Sequence, residues 1–296
     1  MARLFCFGLG YTARHFVNEF GGRFEAITGT VRTPGKAGAG DGPAVETMVF
    51  DGHSASRELM ARLHEASAVL VSIPPSEAGD PVLLGLGGRI DAPGLAVIVY
   101  LSTVGVYGDH RGAAVDETTM PRPVSGRSQA RLAAEAAWRE LGGRSGVPVA
   151  ILRLGGIYGP GQNALANLVA GRARRIVKPG QVFNRIHVAD IAQAIGGAIE
   201  RRADGIYNVV DDEPAPPQDV TVLAAKLLDR EPPPEVAFAD AAKTMTPMAL
   251  SFYGENKRVE NRKLKSELGV KLRYPTYREG IRSLYESGAF HGDAAS

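Results

Sequence analysis

Apolar runs and amphipathic segments alternate through the first half of the chain. Leu4–Phe7 is a short apolar run, and Tyr11–Phe20 carries its apolar side chains at helical spacing. The same pattern predicts strands over 26–31, 45–50, 68–72, 96–101 and 149–152, and helices over 58–66 and 126–141. The last helix is predicted to stop at Gly142-Gly143, since paired glycines favour a helix end. Strands without strict alternation, separated by helices, indicate a parallel sheet with both faces covered.

The pattern becomes less regular beyond Gly161. It predicts short strands over 186–188 and 207–210, a helix over 190–200 between them, and a helix over 220–228 within a proline-rich stretch. These elements predict an α/β protein. A Rossmann-type doubly wound parallel sheet is expected over residues 1–160, with 181–212 folding back onto it. A smaller, partly interleaved C-terminal part over 161–296 is expected to bind substrate.

Composition narrows the classes of function. The chain has 34 Lys and Arg against 32 Asp and Glu, a net charge of +2, so it lacks the strongly basic character of a dedicated nucleic-acid binder. With Cys6 as the one cysteine, an intrachain disulfide framework is excluded, and neither a cysteine zinc site nor another metal site is expected. No apolar run is long enough to span a bilayer. We therefore expect a cytoplasmic protein whose partner is a small molecule rather than a membrane or a nucleic acid.

A glycine-rich turn follows the first predicted strand and opens the first predicted helix. Its sequence is Gly8-Leu9-Gly10-Tyr11-Thr12-Ala13. Two glycines and then a small residue fit a dinucleotide-binding turn, because phosphate must approach backbone N–H groups at a helix N-terminus where a Cβ would block it. The alternative is a purely structural strand-to-helix turn.

The residues after the second predicted strand favour NADP as the cofactor. An NAD site usually has a carboxylate about 20 positions beyond the glycines, where it accepts a hydrogen bond from the ribose 2′-OH. Thr30 lies there, followed by Arg32, Thr33 and then Lys36, with no carboxylate nearby. A cation beside hydroxyls suits a 2′-phosphate, so Thr30, Arg32 and Thr33 are candidate cofactor residues. NAD remains the alternative cofactor, and Arg32 as a solvated loop residue is the alternative interpretation.

Two aspartates lie at predicted element boundaries. Asp51 closes the third predicted strand and would suit the adenine, although it could equally be an N-cap of the next helix. Asp190 is expected to cap the helix that it begins.

The chain resembles atypical or extended short-chain dehydrogenase/reductases of the NAD-dependent epimerase/dehydratase type. The segments that carry the resemblance are Phe7–Gly10, Tyr100–Asp109, Leu152–Gly161, Arg185–Asp190 and Tyr207–Asp211. They occur in the family's order and span about residues 3–282.

The resemblance implies a catalytic group that this chain only partly retains. Thr103 matches the residue that polarises the substrate oxygen. The Tyr-x-x-x-Lys pair expected on the next long helix falls on Arg127 and Arg131, while a rival register places Ser125 and Gln129 there. The family's tyrosine exchanges a proton with substrate, which an arginine cannot do because it stays protonated near neutral pH. Arg127 and Arg131 are expected to hold or polarise an anionic substrate, unless they are solvated helix charges and Thr103 is a structural strand-end hydroxyl.

The resemblance also implies further contacts. Ser72, Ile73 and Pro74 follow the fourth predicted strand, where the family's backbone passes the cofactor, and Gly155, Gly156 and Ile157 are expected beside the nicotinamide. Tyr107 is the phenol nearest to Thr103 along the chain and a candidate substitute acid. Family members often dimerise through helices, for which residues 130–138 are a candidate, the alternative being that this stripe packs on the sheet.

The motifs are compatible with two alternative functions. The first is an NAD(P)-dependent oxidoreductase or epimerase/dehydratase-like enzyme acting on a small polar substrate, of which an anionic compound or a nucleotide sugar is an example. The second is a protein that binds NADP(H) without chemistry and acts as a sensor or scaffold.

Overall fold

The body of the protein is a parallel β-sheet with helices on both faces. The computed structural model describes residues 2–33, 44–88, 90 and 92–291. The strands in this part of the chain are β1 (Arg3–Phe7), β2 (Ala26–Val31), β3 (Glu46–Val49), β4 (Ala68–Val71), β5 (Val97–Thr103), β6 (Ala114–Val115), β7 (Val149–Leu154), β8 (Gly156–Tyr158), β9 (Arg175–Val177), β10 (Arg185–His187), β11 (Gly205–Val209), β12 (Glu235–Ala237) and β13 (Arg258–Val259).

The α-helices of the same residues alternate with these strands. They are α1 (Tyr11–Phe20), α2 (Arg57–His64), α3 (Pro81–Gly85), α4 (Gly126–Ser145), α5 (Ala164–Val169), α6 (Val188–Glu200), α7 (Pro217–Leu227), α8 (Phe238–Ala241), α9 (Pro247–Tyr253), α10 (Arg262–Ser266) and α11 (Tyr277–Glu286). Short 3₁₀ turns cover Gly21–Arg23, Val104–Tyr107, Ala242–Thr244 and Ala289–His291.

The main sheet confirms the predicted fold class. Seven strands lie in the order β11-β7-β5-β4-β1-β2-β3, and every pair is parallel. The chain leaves β1 toward β2 on one side and returns to β4 on the other, which creates a switch point beside β1. In doubly wound sheets ligands bind outside the carboxyl ends of the strands at such a point. The ends of β1, β4, β5 and β7 therefore position the candidate site.

Two apolar layers enclose the sheet. One contains Phe16 of α1 and Ile195 of α6, and the other contains Leu59 of α2 and Trp138 of α4, all of them fully buried. Each such side chain contributes roughly 1.5–3 kcal/mol through burial. Trp138 packs on Tyr100 of the sheet, with ring centroids 5.9 Å apart, so at least this residue of the 130–138 stripe covers the sheet. Dimerisation stays a prediction.

The segments beyond β7 are tied together by short parallel pairs. β8 pairs with β10, β9 with β12, and β6 with β13, while β11 joins the main sheet beside β7. The helices α5, α7 and α11 pack into a separate apolar cluster with Tyr158. The division of the chain near residue 160 stays a prediction.

Two predicted helix boundaries are wrong. α4 continues through Gly142 and Gly143 to Ser145, and it ends at Gly146, which has a left-handed conformation (φ 71°). Gly142 is retained inside the helix because a Cβ there would lie 2.6 Å from Cγ2 of Val149. The N-cap of α6 is His187, whose ring accepts the Ala189 N–H, rather than Asp190.

Candidate functional site

The glycine turn between β1 and α1 is held by hydrogen bonds on both sides. Gly8 has φ 93°, and a Cβ there would lie 2.8 Å from Cγ1 of Ile73, so the position requires glycine. Its N–H donates to Oγ1 of Thr30 at 2.9 Å, and its carbonyl accepts from Oγ of Ser72 at 3.0 Å. Gly10 is the N-cap of α1 and has no atom within 4 Å of the position that a Cβ would take. The N-terminus of α1 is therefore open to an anion.

A groove of about 330 Å³ lies at this turn. The predicted cofactor residues among its lining are Gly10, Tyr11, Thr12, Ser72, Gly155 and Ile157. The Tyr11 hydroxyl donates to the carbonyl of Pro160 at 3.0 Å, and burial raises its pKa to about 12. The open helix N-terminus, the absence of a Cβ at Gly10 and the polar lining fit a dinucleotide phosphate.

Ala13 and Thr30, two of the predicted cofactor residues, are buried outside the groove. Ala13 is fully buried in the core, where its small size lets α1 pack closely on the sheet. Thr30 is 1% exposed, and its hydroxyl accepts the Gly8 N–H instead of facing a ribose. Both residues shape the glycine turn from behind, so the expectation of direct contact with a cofactor is wrong for them.

The residues predicted for the adenosine end lie at the surface. Arg32 and Thr33 follow β2 and are exposed, whereas Lys36 lies outside the described residues. Asp51 is also exposed, and its carboxylate accepts the His53 N–H at 2.9 Å, which lowers its pKa. Asp51 is not a helix cap, because the N-cap of α2 is Ser56. Arg32, Thr33 and Asp51 are therefore exposed to solvent, where a ligand could contact them. None of the three lines the groove.

A larger cavity of about 1110 Å³ adjoins the groove. The two share the lining residues Thr103, Arg131, Leu154, Gly155, Ile157 and Gln162. Pro74 and Gly156, for which the resemblance implies contact with the cofactor, line the larger cavity. A nucleotide in the groove and a second ligand in the cavity would thus meet beside Thr103 and Arg131.

Thr103 ends β5 with its side chain at this junction. Its Oγ1 accepts the Gly105 N–H at 3.1 Å, which caps the 3₁₀ turn and leaves the hydroxyl proton available to a ligand. The same hydroxyl therefore positions the turn and lines both spaces.

Tyr107 does not reach the cavity. It is fully buried, its hydroxyl donates to Oδ1 of Asn208 at 2.7 Å, and burial raises its pKa. A phenol held in this way keeps its proton and has no path to a substrate. The expectation that Tyr107 is a substitute acid is therefore wrong.

Arg127 and Arg131 lie one helical turn apart on α4 and both line the cavity. Arg131 donates from Nη1 to the carbonyl of Leu101 at 2.8 Å and to the Tyr100 hydroxyl at 3.2 Å. The guanidinium of exposed Arg127 lies 5.9 Å from the ring centroid of Phe252. Neither has a carboxylate within ion-pair distance among the described residues.

The cavity is electrostatically positive. Among the described residues, the cationic side chains that line it are Arg127, Arg131, Arg172, Arg185 and Lys257. Glu255 is the one carboxylate among its described lining residues, and its Oε2 lies 2.5 Å from Nζ of Lys257. The excess of positive charge favours a ligand that carries at least one negative charge.

Several lining residues were not recognised from the sequence. Ser128 follows Arg127 on α4, and Met248, Ser251 and Phe252 reach the cavity from α9. Ser125, which the rival register placed in the site, lines the cavity as the N-cap of α4. Ser128 had a usable signal, since it lies between two suspected site residues at the start of a helix. Phe252 had none, because only the tertiary structure brings α9 to α4.

A buried polar network supports the junction from behind. Arg153 of β7 forms an ion pair with Glu135 of α4, with Nη2 and Oε2 2.7 Å apart and both side chains almost fully buried. Glu135 also accepts from the Ser102 hydroxyl, and the Arg153 guanidinium stacks 4.7 Å from the Tyr107 ring centroid. This network fixes the end of β5 and therefore the position of Thr103.

Within residues 2–33, 44–88, 90 and 92–291, no group of three or more His, Cys, Asp or Glu side chains is arranged to hold a metal ion. In the same residues, no helix combines the length and apolar character that crossing a bilayer requires.

Comparisons with known proteins support the resemblance. The chain is 42% identical to a conserved protein of unknown function from Silicibacter pomeroyi, whose solved structure superposes with a TM-score of 0.84 over 97% of this chain and 99% of that one. It is 29% identical over 222 residues to the protein YeeZ of Escherichia coli K12, which covers 72% of this chain and 73% of YeeZ.

A more distant solved structure shares the fold. The human epimerase family protein SDR39U1, solved with NADPH, is 20% identical with a TM-score of 0.74, covering 96% of this chain and 99% of that one. The model of the NAD dependent epimerase/dehydratase family matches residues 86–210, which include Thr103, α4 and the ends of β7 and β11. Over these residues the chain is similar to the NAD-dependent epimerase/dehydratase family.

Proposed function

We propose that this chain is an NADP(H)-dependent oxidoreductase that acts on a small polar substrate bearing negative charge. The observation that carries the proposal is the junction at Thr103 and Arg131, where a groove suited to a dinucleotide meets a positive cavity. A nucleotide sugar, with its phosphates, is one substrate of this kind, and a carboxylic acid is another.

The groove residues are assigned to the dinucleotide. Gly8 and Gly10 would let the pyrophosphate approach the N–H groups of α1, where the helix dipole favours negative charge. Tyr11, Thr12, Ser72 and Ile73 would line its path, and Gly155, Gly156 and Ile157 would border the nicotinamide. When bound, the nicotinamide supplies or accepts the hydride.

The cavity residues are assigned to the substrate. The Thr103 hydroxyl would donate a hydrogen bond to the reacting oxygen. Arg131 would place positive charge beside that oxygen and stabilise the negative charge that develops on it. Arg127 would bind the anionic group of the substrate, since its guanidinium is exposed to the cavity and has no carboxylate partner among the described residues.

The preference for NADP over NAD is assigned to Arg32. An exposed cation directly after β2, with Thr33 beside it, suits a ribose 2′-phosphate.

Thermal unfolding with NADP, with NAD and without ligand tests the nucleotide assignment. A ligand at 100 times its Kd stabilises the folded state by about 2.7 kcal/mol, so NADP is expected to raise Tm by several degrees and NAD by less. Arg32→Ala should reduce the rise with NADP only. Arg139→Ala, which removes an exposed arginine of α4 outside both spaces, is the control. A larger rise with NAD would overturn the Arg32 assignment, and no rise with either would overturn nucleotide binding.

A sensor or scaffold without chemistry is the second candidate. It is favoured by the arginines in place of Tyr-x-x-x-Lys and by the burial of Tyr107. The test is NADPH oxidation with a panel of anionic aldehydes and ketones, benzoylformate first. A Tm rise with NADPH but no turnover across the panel would favour the sensor, whereas turnover lost in Thr103→Val would favour the enzyme.

A further inference from the structure

Two serine hydroxyls at the start of α4 form a directed chain. Ser125 is the N-cap of the helix and accepts the Ser128 N–H at 3.2 Å. Its own hydroxyl donates to Oγ of Ser128 at 2.9 Å. Ser125 is half-buried, whereas Ser128 is 8% exposed and both line the cavity. The hydrogen bond therefore runs from Ser125 on the solvent side to Ser128 on the inner side. The hydroxyl proton of Ser128 is then available to a ligand in the cavity.

The inner end of this chain lies beside Thr103. The Ser128 Oγ and the Thr103 Oγ1 are 3.0 and 3.4 Å from the point that a Cβ of Gly105 would occupy. Glycine at 105 thus leaves both hydroxyls on the same side of the turn, without a side chain between them. An oxygen atom bound at Thr103 would lie close to Ser128.

The proposed reaction needs a proton donor, and the cavity arginines, Tyr107 and Glu255 do not provide it. Arginine stays protonated near neutral pH and can stabilise an alkoxide without supplying its proton. The Tyr107 hydroxyl is committed to Asn208. Glu255 is paired with Lys257, as described above.

On the basis of the proposed function, we infer that Ser128 is a catalytic residue that hands a proton to the reacting oxygen, and that Ser125 is a positioning residue that replenishes it. In the reductive direction, the carbonyl carbon accepts the hydride of NADPH and the π pair moves to the oxygen. That oxygen takes the Ser128 proton, Ser128 takes the Ser125 proton, and Ser125 takes one from water, so that hydroxide is released to solvent. The guanidinium of Arg131 stabilises the charge on the oxygen meanwhile.

Ser128→Ala tests the catalytic residue with NADPH and the same carbonyl panel. General acid catalysis contributes typically 10²- to 10⁴-fold, so kcat is expected to fall by about 100-fold or more while KM changes little. Ser128→Thr, which restores a hydroxyl, should recover much of the loss. The rise in Tm with NADPH should be the same as in the wild type, because Ser128 does not line the nucleotide groove. Ser145→Ala, at the other end of α4 and outside the cavity, is the matched control.

Ser125 is tested by a pair of N-cap variants. Asn and Thr both cap helices, but only Thr keeps a hydroxyl. We expect Ser125→Asn to lower kcat by about 10-fold, toward the low end of proton-transfer effects, and Ser125→Thr to restore it. The solvent isotope effect on kcat should report the transfer of more than one proton in the wild type. In Ser125→Asn it should report the transfer of only one. Ser56→Asn makes the same change at the N-cap of α2, outside the cavity, and should leave turnover unaffected.

The outcomes separate this inference from the proposed function. Turnover by the wild type that is unchanged in Ser128→Ala overturns the proton chain and leaves the oxidoreductase standing. A Tm rise with NADPH without turnover of any carbonyl overturns both. Loss of turnover in Ser125→Thr as well as Ser125→Asn makes Ser125 purely structural and overturns its part of the chain.

Discussion

Two arginines near the end of β5 have the same chemistry and different surroundings. Arg153 is 2% exposed, it is paired with Glu135 through two nitrogens, and it stacks on Tyr107. Arg131 also lies over a tyrosine ring, with its guanidinium 5.6 Å from the ring centroid of Tyr100. Its Nη1 donates to a backbone carbonyl and a phenol rather than to a carboxylate. Arg153 is neutralised within the fold, whereas Arg131 leaves a net positive charge at the cavity wall.

The difference shows how far residue type alone can predict a role. A buried cation must be paired, so Arg153 is part of the structure that holds β5 and α4 together. A half-buried cation without a carboxylate partner retains its charge for a ligand. Substitutions at the two kinds of site test this division, and the buried pair is the more sensitive of the two.

The largest effect is expected when the buried pair is broken. Glu135→Gln leaves the Arg153 guanidinium charged and buried without its counter-charge, which costs about 3–5 kcal/mol. Urea denaturation followed by circular dichroism measures the free energy of unfolding. Glu140→Gln on the same helix removes one partner of the exposed pair with Arg144 and should change it by less than about 0.5 kcal/mol. The comparison fails if the two variants lose similar amounts.

The bounds of the sheet strands could be predicted to within about two residues, whereas the surroundings of the site residues could not. β2 and α1 have the predicted bounds, because apolar periodicity and glycine turns are local signals. Tyr107 and Thr30 were assigned to ligands from motif position alone, but their hydroxyls are used by Asn208 and Gly8, which are distant in sequence. The small strands beyond β7 were mostly missed, since strands of two or three residues have too short a pattern to detect.

His187 extends the comparison to a buried base without a counter-charge. It is 3% exposed, its Nδ1 accepts the Ala189 N–H, and burial lowers its pKa to about 3. The unfolded chain therefore binds the proton more readily than the folded one. The stability that neutral His187 contributes is fully present above about pH 6.5 and is lost as the pH falls toward 3.

The pH dependence of unfolding measures this contribution. As the pH falls from about 6.5 to about 4.5, the titration of His187 is expected to lower the free energy of unfolding by about 2 kcal/mol. His187→Asn keeps an acceptor at the N-cap and has no imidazole, so its curve should lack this component. The difference between the two curves isolates His187 from the carboxylates that titrate in the same range. Parallel curves would show that the buried ring tolerates the charge.

Arg127 is expected to affect binding more than folding. Arg127→Ala should raise KM for an anionic carbonyl probe by about 10- to 100-fold, since a charge-assisted hydrogen bond to substrate is lost. Its free energy of unfolding should change by less than about 0.5 kcal/mol, because the side chain is exposed. Steady-state kinetics with benzoylformate and with an uncharged ketone provide the test. An equal change in KM for both probes would remove Arg127 from anion binding.

Two adjacent glycines of α4 also have different surroundings, and substitutions there are expected to have the smallest effects. Gly143 is exposed, with no atom within 4 Å of a Cβ position, so Gly143→Ala should stabilise the protein by about 0.5–1 kcal/mol through helix propensity alone. At Gly142 a Cβ would lie 2.6 Å from Cγ2 of Val149 and 2.8 Å from the carbonyl of Val147. Gly142→Ala should therefore destabilise the protein, although its gain in helix propensity is the same. Thermal melts of the two variants compare them, and two changes of the same sign would mean that α4 ends before these residues or that its packing on β7 is loose.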